Sequence, residues 1–177
     1  DSSWPFGSMN MWFTTTFPNS QTWRDRIQEA HANWPQSTGR PPVYFGMAGT
    51  NWSFQNCQPD NVNGVHYWPL NDPTRAANTY SCTSFGYWST QIVINSQRDW
   101  NVSNNAPGAN QVDLESVATH EFGHAYGWHG PHWDQAPGSP SCGDVLTRET
   151  MCSATFVGQL RTRTPEVHDV HTMDAAF

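Results

Sequence analysis

The sequence predicts an α+β domain, and three observations carry that expectation. The segments 22–34 and 113–124 space their apolar or chemistry-bearing residues as a helix does. Tyr87 to Asn95 (YWSTQIVIN) is dense in β-branched and aromatic residues, as a strand is. Long stretches rich in Asn, Gly, Pro and Asp lie between such segments. The chain has 177 residues, enough for a single domain with a real core, 1–177. It contains no run of 18 or more apolar residues, so no membrane helix is expected.

Taken in order, Met11 to Phe17 reads as a first strand. Thr22 to Trp34 reads as a helix: Thr22 caps it, Trp23, Ile27, Ala30 and Trp34 share a face, and Pro35 stops it. Pro42 to Met47 (PVYFGM) reads as a short strand, 48–82 as a long loop region and Tyr87 to Asn95 as the best strand of the chain. Residues 96–112 return to loop. Asp113 then opens a helix, with Glu115 in its first turn where a carboxylate suits the dipole. Residues 128–160 read as mostly irregular. Thr164 caps a closing helix to Phe177, with Pro165 at its first position and Val167, Val170, Met173 and Phe177 on one face. Trp4, Trp12, Trp23, Trp34 and Trp100 are expected to fill the core.

The net charge is −7, and all eight basic residues are scattered arginines. Nucleic acid needs a basic patch, so that partner is excluded. The chain opens on Asp1 without a basic-then-apolar leader, so a signal and pro-segment removed before this point is one expectation and trimming the other. The even count of four cysteines suggests two disulfides and an extracellular setting. Cys57–Cys82 and Cys142–Cys152 are the favoured pairs, because each closes a local loop. No CxxC occurs, which argues against a cysteine zinc site.

The chemistry concentrates in His120-Glu121-Phe122-Gly123-His124. Two histidines four apart project from one helix face and can share one metal. Neutral imidazoles suit Zn²⁺. Glu121 is placed to take a proton from a zinc-activated water. The competing reading is a surface helix with two solvated histidines. Against it stand Gly127, where the helix can end and the chain turn back, the further histidines 129 and 132, and Met151 among small polar residues.

With DLESVATHEFGHAYG, the later ETMCS and GQLRTRTPEVHDVHTMDAAF in view, the chain resembles the metzincin clan of zinc peptidases. Within it, the chain is most similar to the small secreted matrixin-like enzymes of actinobacteria. The likeness is strong over 112–177 and general before. It implies a twisted mixed five-stranded sheet with two long helices above an active-site cleft (about 1–127). A small irregular C-terminal subdomain ending in a helix (about 128–177) would lie below. It also implies a secreted endopeptidase with one catalytic zinc, acting on protein or peptide chains laid along an edge strand, and a monomer is expected. The third ligand departs from the clan's spacing, HExxHxxGxxH, because Gly130 occupies its position. His129 falls one residue short and His132 two beyond, with Asp134 further on. His132 is preferred, since a longer loop can still reach a fixed point and Gly130-Pro131 can present it. The resemblance makes Met151 the apolar floor under the ligands, where an ordinary core methionine is the alternative. Ser153 stands where some members carry a tyrosine ligand, so none is expected.

The remaining histidines read blandly: His31 and His66 as exposed or packed, His168 and His171 as a solvated helix face. Trp128 and Trp133 flank the site. The Asp- and Asn-rich stretches 60–78 and 99–113 offer oxygen donors of the kind Ca²⁺ takes, without EF-hand spacing. Two other function classes fit the composition: a Trp-rich secreted module binding carbohydrate or protein, and a zinc amidase acting on cell-wall peptides.

Overall fold

The computed structural model describes residues 8–35, 41–48, 62–84, 87–126, 150–151, 157–158 and 163–165. Its architecture is α+β, a five-stranded mixed sheet with two helices. The strands are β1 (Met9–Phe13), β2 (Val43–Met47), β3 (Asn63–Trp68), β4 (Ala77–Ser84) and β5 (Tyr87–Asn95). The helices are α1 (Gln21–Ala32) and α2 (Leu114–Ala125). The sheet order is β2-β1-β3-β5-β4. Every pairing is parallel except β4 on β5, so β4 is an antiparallel edge. Among the described residues, no helix is long and apolar enough to cross a membrane.

Period-two alternation sorts the side chains. Met9, Met11 and Phe13 turn to one face of β1 and are buried, while Asn10 and Trp12 turn to the other and are exposed. Val65, Ile92 and Ile94 continue the buried face and meet Ile27, Ala30 and Trp34 of the α1 region and Leu114, Ala118, Phe122 and Ala125 of α2 in one core. Each large aliphatic side chain so buried contributes about 1.5–3 kcal/mol. Aromatic rings knit the layers. Phe13 stacks on Phe45 with centroids 5.6 Å apart, and Phe45 meets Phe122 edge-on at 6.2 Å.

Several expectations change here. The first strand covers Met9–Phe13, because Thr14 to Phe17 closes a turn with Phe17 N donating to Thr14 O at 2.9 Å. Helix α1 starts one residue early and is preceded by Ser20, whose side chain makes no capping bond; Thr22 is inside the helix. The stretch 48–82, expected as loop, contains β3 and most of β4. Its Asn and Gly disguise it, and neighbouring strands supply what propensity does not. Asn63 donates to Asn10 O at 3.0 Å and accepts from Thr90 N at 2.8 Å, while Gly64 fits where any Cβ would lie 2.6 Å from Gln91 Oε1. The stretch 96–112 gains a two-residue parallel bridge, β6 (Trp100–Asn101) with β7 (Val112–Asp113). Trp12 is not core: at 37% exposure it lies across Gly46, on the face away from the helices. Trp23 is partly buried at the core's margin, whereas Trp34 and Trp100 fill the interior as expected. Cys57, Cys142, Cys152, Trp4, Trp128, Trp133, His168 and His171 lie outside the described residues, as does all but the start of the closing helix 164–177. The two disulfide pairings are therefore not described either.

His66 is buried on the sheet face opposite the helices, where its Nε2–H donates to Gln91 Oε1 at 2.8 Å. Gln91 in turn donates to Val62 O, which fixes the acceptor end toward His66. Burial holds the imidazole below its ordinary value of 6.5. The unfolded chain therefore takes up this proton first. The resulting stability is complete above about pH 6.5 and is lost as the pH falls from there through the lower folded value. Thermal melts between pH 8 and pH 5 should drop less steeply for His66→Gln than for wild type; parallel curves would exclude His66 as a source of the acid sensitivity.

Candidate metal centre

Helix α2 starts where the sequence places it. Asp113 accepts from Ser116 N at 3.0 Å and from Ser116 Oγ at 2.7 Å, satisfying the free end of the helix. The same carboxylate accepts from Arg163 Nε at 2.9 Å and Nη2 at 2.6 Å. Two residues on, buried Glu115 accepts from Arg26 Nη1 and Asn33 Nδ2, both at 3.0 Å, and pairs with Arg163 Nη1 at 2.9 Å. The hydrogen bonds from Asp113 raise the Arg163 pKa above its usual value, outweighing burial. Two arginines thus neutralise two buried carboxylates and pin the base of α2 to α1 and to the 163–165 segment.

From that fixed base, helical spacing sends Ala118, Phe122 and Ala125 into the core and His120 and His124 to another face. The two imidazole Nε2 atoms lie 3.0 Å apart, with the rings nearly perpendicular at 85°. His120 Nδ1 is 2.7 Å from the Thr150 carbonyl oxygen. A carbonyl can only accept, so the proton sits on Nδ1 and Nε2 presents its lone pair toward His124. Two nitrogens each about 2.0–2.1 Å from a shared tetrahedral zinc lie roughly 3.3–3.4 Å apart. The observed pair is within a few tenths of an ångström of that, and its nitrogen donors and fixed tautomer fit a zinc ion.

Glu121 is 5% exposed, and Thr79 of β4 donates its hydroxyl to the carboxylate Oε2 at 2.5 Å. The same hydroxyl is 3.1 Å from the Glu121 carbonyl oxygen. The glutamate is thus held at the junction of the helix and the sheet edge.

Met151 follows Thr150 and is 3% exposed. It lies against the bare backbone of Gly123, where an added Cβ would come 2.2 Å from its sulfur and 2.9 Å from the Trp34 ring. Trp34 is itself tied to the helix by Nε1–H donating to Thr119 O at 2.8 Å. Tyr126, at the C-cap, shares a hydrogen bond with His31 Nδ1 inside the core.

Of the residues singled out from sequence, the structure brings His120 and His124 together and seats Met151 against Gly123 of the same helix, while the Glu121 carboxylate meets Thr79 on β4. His129 and His132 lie outside the described residues, as do Gly127, Gly130 and Asp134. Among the described residues, no group of three His, Cys, Asp or Glu side chains converges on one point. Two contributors escaped sequence reading, Thr150 and Thr79. The first acts through its main chain, which no residue type signals. The second lies in a stretch read as loop, where Asn and Ser mask the strand. No known protein-family model matches the chain, and no curated protein matches it.

The close approach at Gly123 is testable. Alanine would gain up to about 1 kcal/mol of helix propensity. The clash opposes this: the sulfur and methyl form the far end of a flexible side chain, but the rigid indole of Trp34 stands at the same spot. Gly123→Ala should be net destabilising by about 1–3 kcal/mol in urea unfolding. The penalty should shrink when the substitution is made on a Met151→Ala background; an alanine variant as stable as wild type would mean the contact imposes no constraint.

Proposed function

We propose that this chain is a secreted zinc-dependent endopeptidase of metzincin type. The observation that carries the reading is the α2 pair: two imidazole nitrogens 3.0 Å apart, one oriented by the Thr150 carbonyl, on the helix that also carries the buried Glu121. The mixed five-stranded sheet with two helices agrees with the architecture the resemblance implies. Met151 beneath α2 agrees with the apolar floor expected under the ligands.

In this reading His120 and His124 hold the ion, with His132 as the proposed third donor and His129 as its rival. Zinc, when bound, polarises a carbonyl and brings the pKa of a water to about 7. The rest falls to the protein. Glu121 takes a proton from the attacking water and passes it to the departing amine nitrogen. The two histidines, held by the rigid helix, keep that carboxylate and the ion in fixed register. A substrate chain in extended form pairs its backbone with the outer edge of β4, the strand that touches Glu121. The helix base, clamped by Arg163 and Arg26, keeps these groups from shifting as substrate binds.

Purified protein should contain about one zinc, and phenanthroline should abolish casein cleavage, with added zinc restoring it. Glu121→Gln should keep the metal and lower kcat by at least about 100-fold. His120→Ala and His124→Ala should lose the metal. Zinc analysis of His132→Ala and His129→Ala assigns the third ligand, which is expected to be His132. Zinc-free wild-type protein, or Glu121→Gln cleaving at the wild-type rate, would sink the reading; a carbohydrate-binding module would give the first result.

A further inference from the structure

We infer that Thr79, on the edge strand, is a positioning residue for Glu121, and that its hydroxyl decides which carboxylate oxygen faces the reacting water. The inference rests on the peptidase reading above. Thr79 lies on β4 opposite Ile92 of β5, on the sheet face that carries the helices. Its Oγ1 is 2.5 Å from Glu121 Oε2 and 3.1 Å from the Glu121 carbonyl oxygen. A hydroxyl has one proton, and the shorter contact goes to the charged partner, so the proton is donated to Oε2. Oε1 is then the oxygen with lone pairs to spare for water.

The chemistry gives this contact a purpose beyond packing. A glutamate at a helix surface has three side-chain torsions, the last of them broad. A base useful in proton transfer must hold one oxygen within hydrogen-bond reach of the proton it takes. Position 121 on the helix fixes only the Cα–Cβ direction; the donor on β4 fixes the carboxylate. The contact spans 42 residues of sequence and joins the helix that bears the histidines to the strand on which the substrate would lie. No proton is gained or lost by Thr79 in this role, since it donates one hydrogen bond throughout.

The experiment compares wild type, Thr79→Val and Thr79→Ser in steady-state cleavage of a fluorogenic peptide, with zinc content and melting temperature measured on each. Valine keeps the shape and suits a strand, so the variant folds. It should lower kcat about 10- to 100-fold, the usual worth of a hydrogen bond to a charged group, with KM moving less than about threefold. Serine keeps the donor and should stay within about threefold of wild-type kcat. Zinc content should be equal in all three. Thr79→Val with wild-type kcat overturns the inference and leaves the peptidase reading intact. Thr79→Ser as impaired as Thr79→Val also overturns it, because the methyl group rather than the hydroxyl would then matter. Wild-type protein without chelator-sensitive cleavage overturns both, since no base would remain to be aimed.

Discussion

The contact on which the candidate site depends most is the seating of Met151 against the bare backbone of Gly123. It is a packing contact, but its consequence is polar. Thr150 precedes Met151, and its carbonyl accepts the Nδ1 proton of His120. Where Met151 rests thus determines where that acceptor lies, and the acceptor determines the ring's tautomer and which nitrogen presents a lone pair. A side chain at position 123 would push away the sulfur and with it the orienting carbonyl. Trp34 closes the arrangement from α1, touching the same spot and bonding to Thr119 O one turn earlier. Core packing and histidine orientation are therefore one constraint, enforced at one spot on a single helix.

The second constraint lies at the helix base. Asp113, Glu115, Arg26 and Arg163 are mostly buried, and burying four charges is costly unless each is paired. Here each carboxylate accepts from a guanidinium and from neutral donors too, Ser116 for Asp113 and Asn33 for Glu115. Such a cluster adds little net stability over an apolar one, but tolerates few other arrangements. Its geometric effect is clear. Arg163 reaches both carboxylates and also Ser103 O, so the 163–165 segment, α1 and the 103–104 loop all meet at the start of α2. Thr119 and Thr150 bond on to Arg163 O and Thr164 O, carrying that anchorage up to the histidines.

How much of this the sequence revealed follows from how local each feature is. The motif helix was legible because its cap, Asp113, and its chemistry, His120, Glu121 and His124, fall within twelve consecutive positions and obey one period. Strand β5 was legible because it is apolar and β-branched. Strands β3 and β4 were not, since Asn63, Gly64, Asn78 and Ser81 look like turn residues and become strand only through partners far along the chain. Gly64 shows the physical reason: it is tolerated in the strand because His66 and Gln91 need the volume a side chain would take. Trp12 failed as a core residue for a related reason. Its neighbours Met11 and Phe13 face the helices, so period two sends the indole outward, onto Gly46. Met151 was legible only through the company it keeps, and Thr150 not at all, because a carbonyl oxygen carries no residue identity.

Register ties these threads together. Along β4, alternate residues face the helices, so Thr79 reaches Glu121 while Asn78 and Tyr80 turn away. A slip of one residue would carry Thr79 to the other face and leave the glutamate with no donor from the sheet. What holds the register is the eight-residue ladder from Ala77↔Ile94 to Ser84↔Tyr87. Strand β5 is in turn locked between β4 and parallel β3, with Ile92 and Ile94 buried against the helices. Sliding β4 on β5 would break a full row of backbone bonds, whereas among the described residues no strand pairs with its far side. In the proposed peptidase reading, an edge held rigidly on its core side can pair with an extended chain on the other without moving Thr79. The antiparallel strand β4 is therefore the element that ties the Glu121 carboxylate to the frame of the sheet.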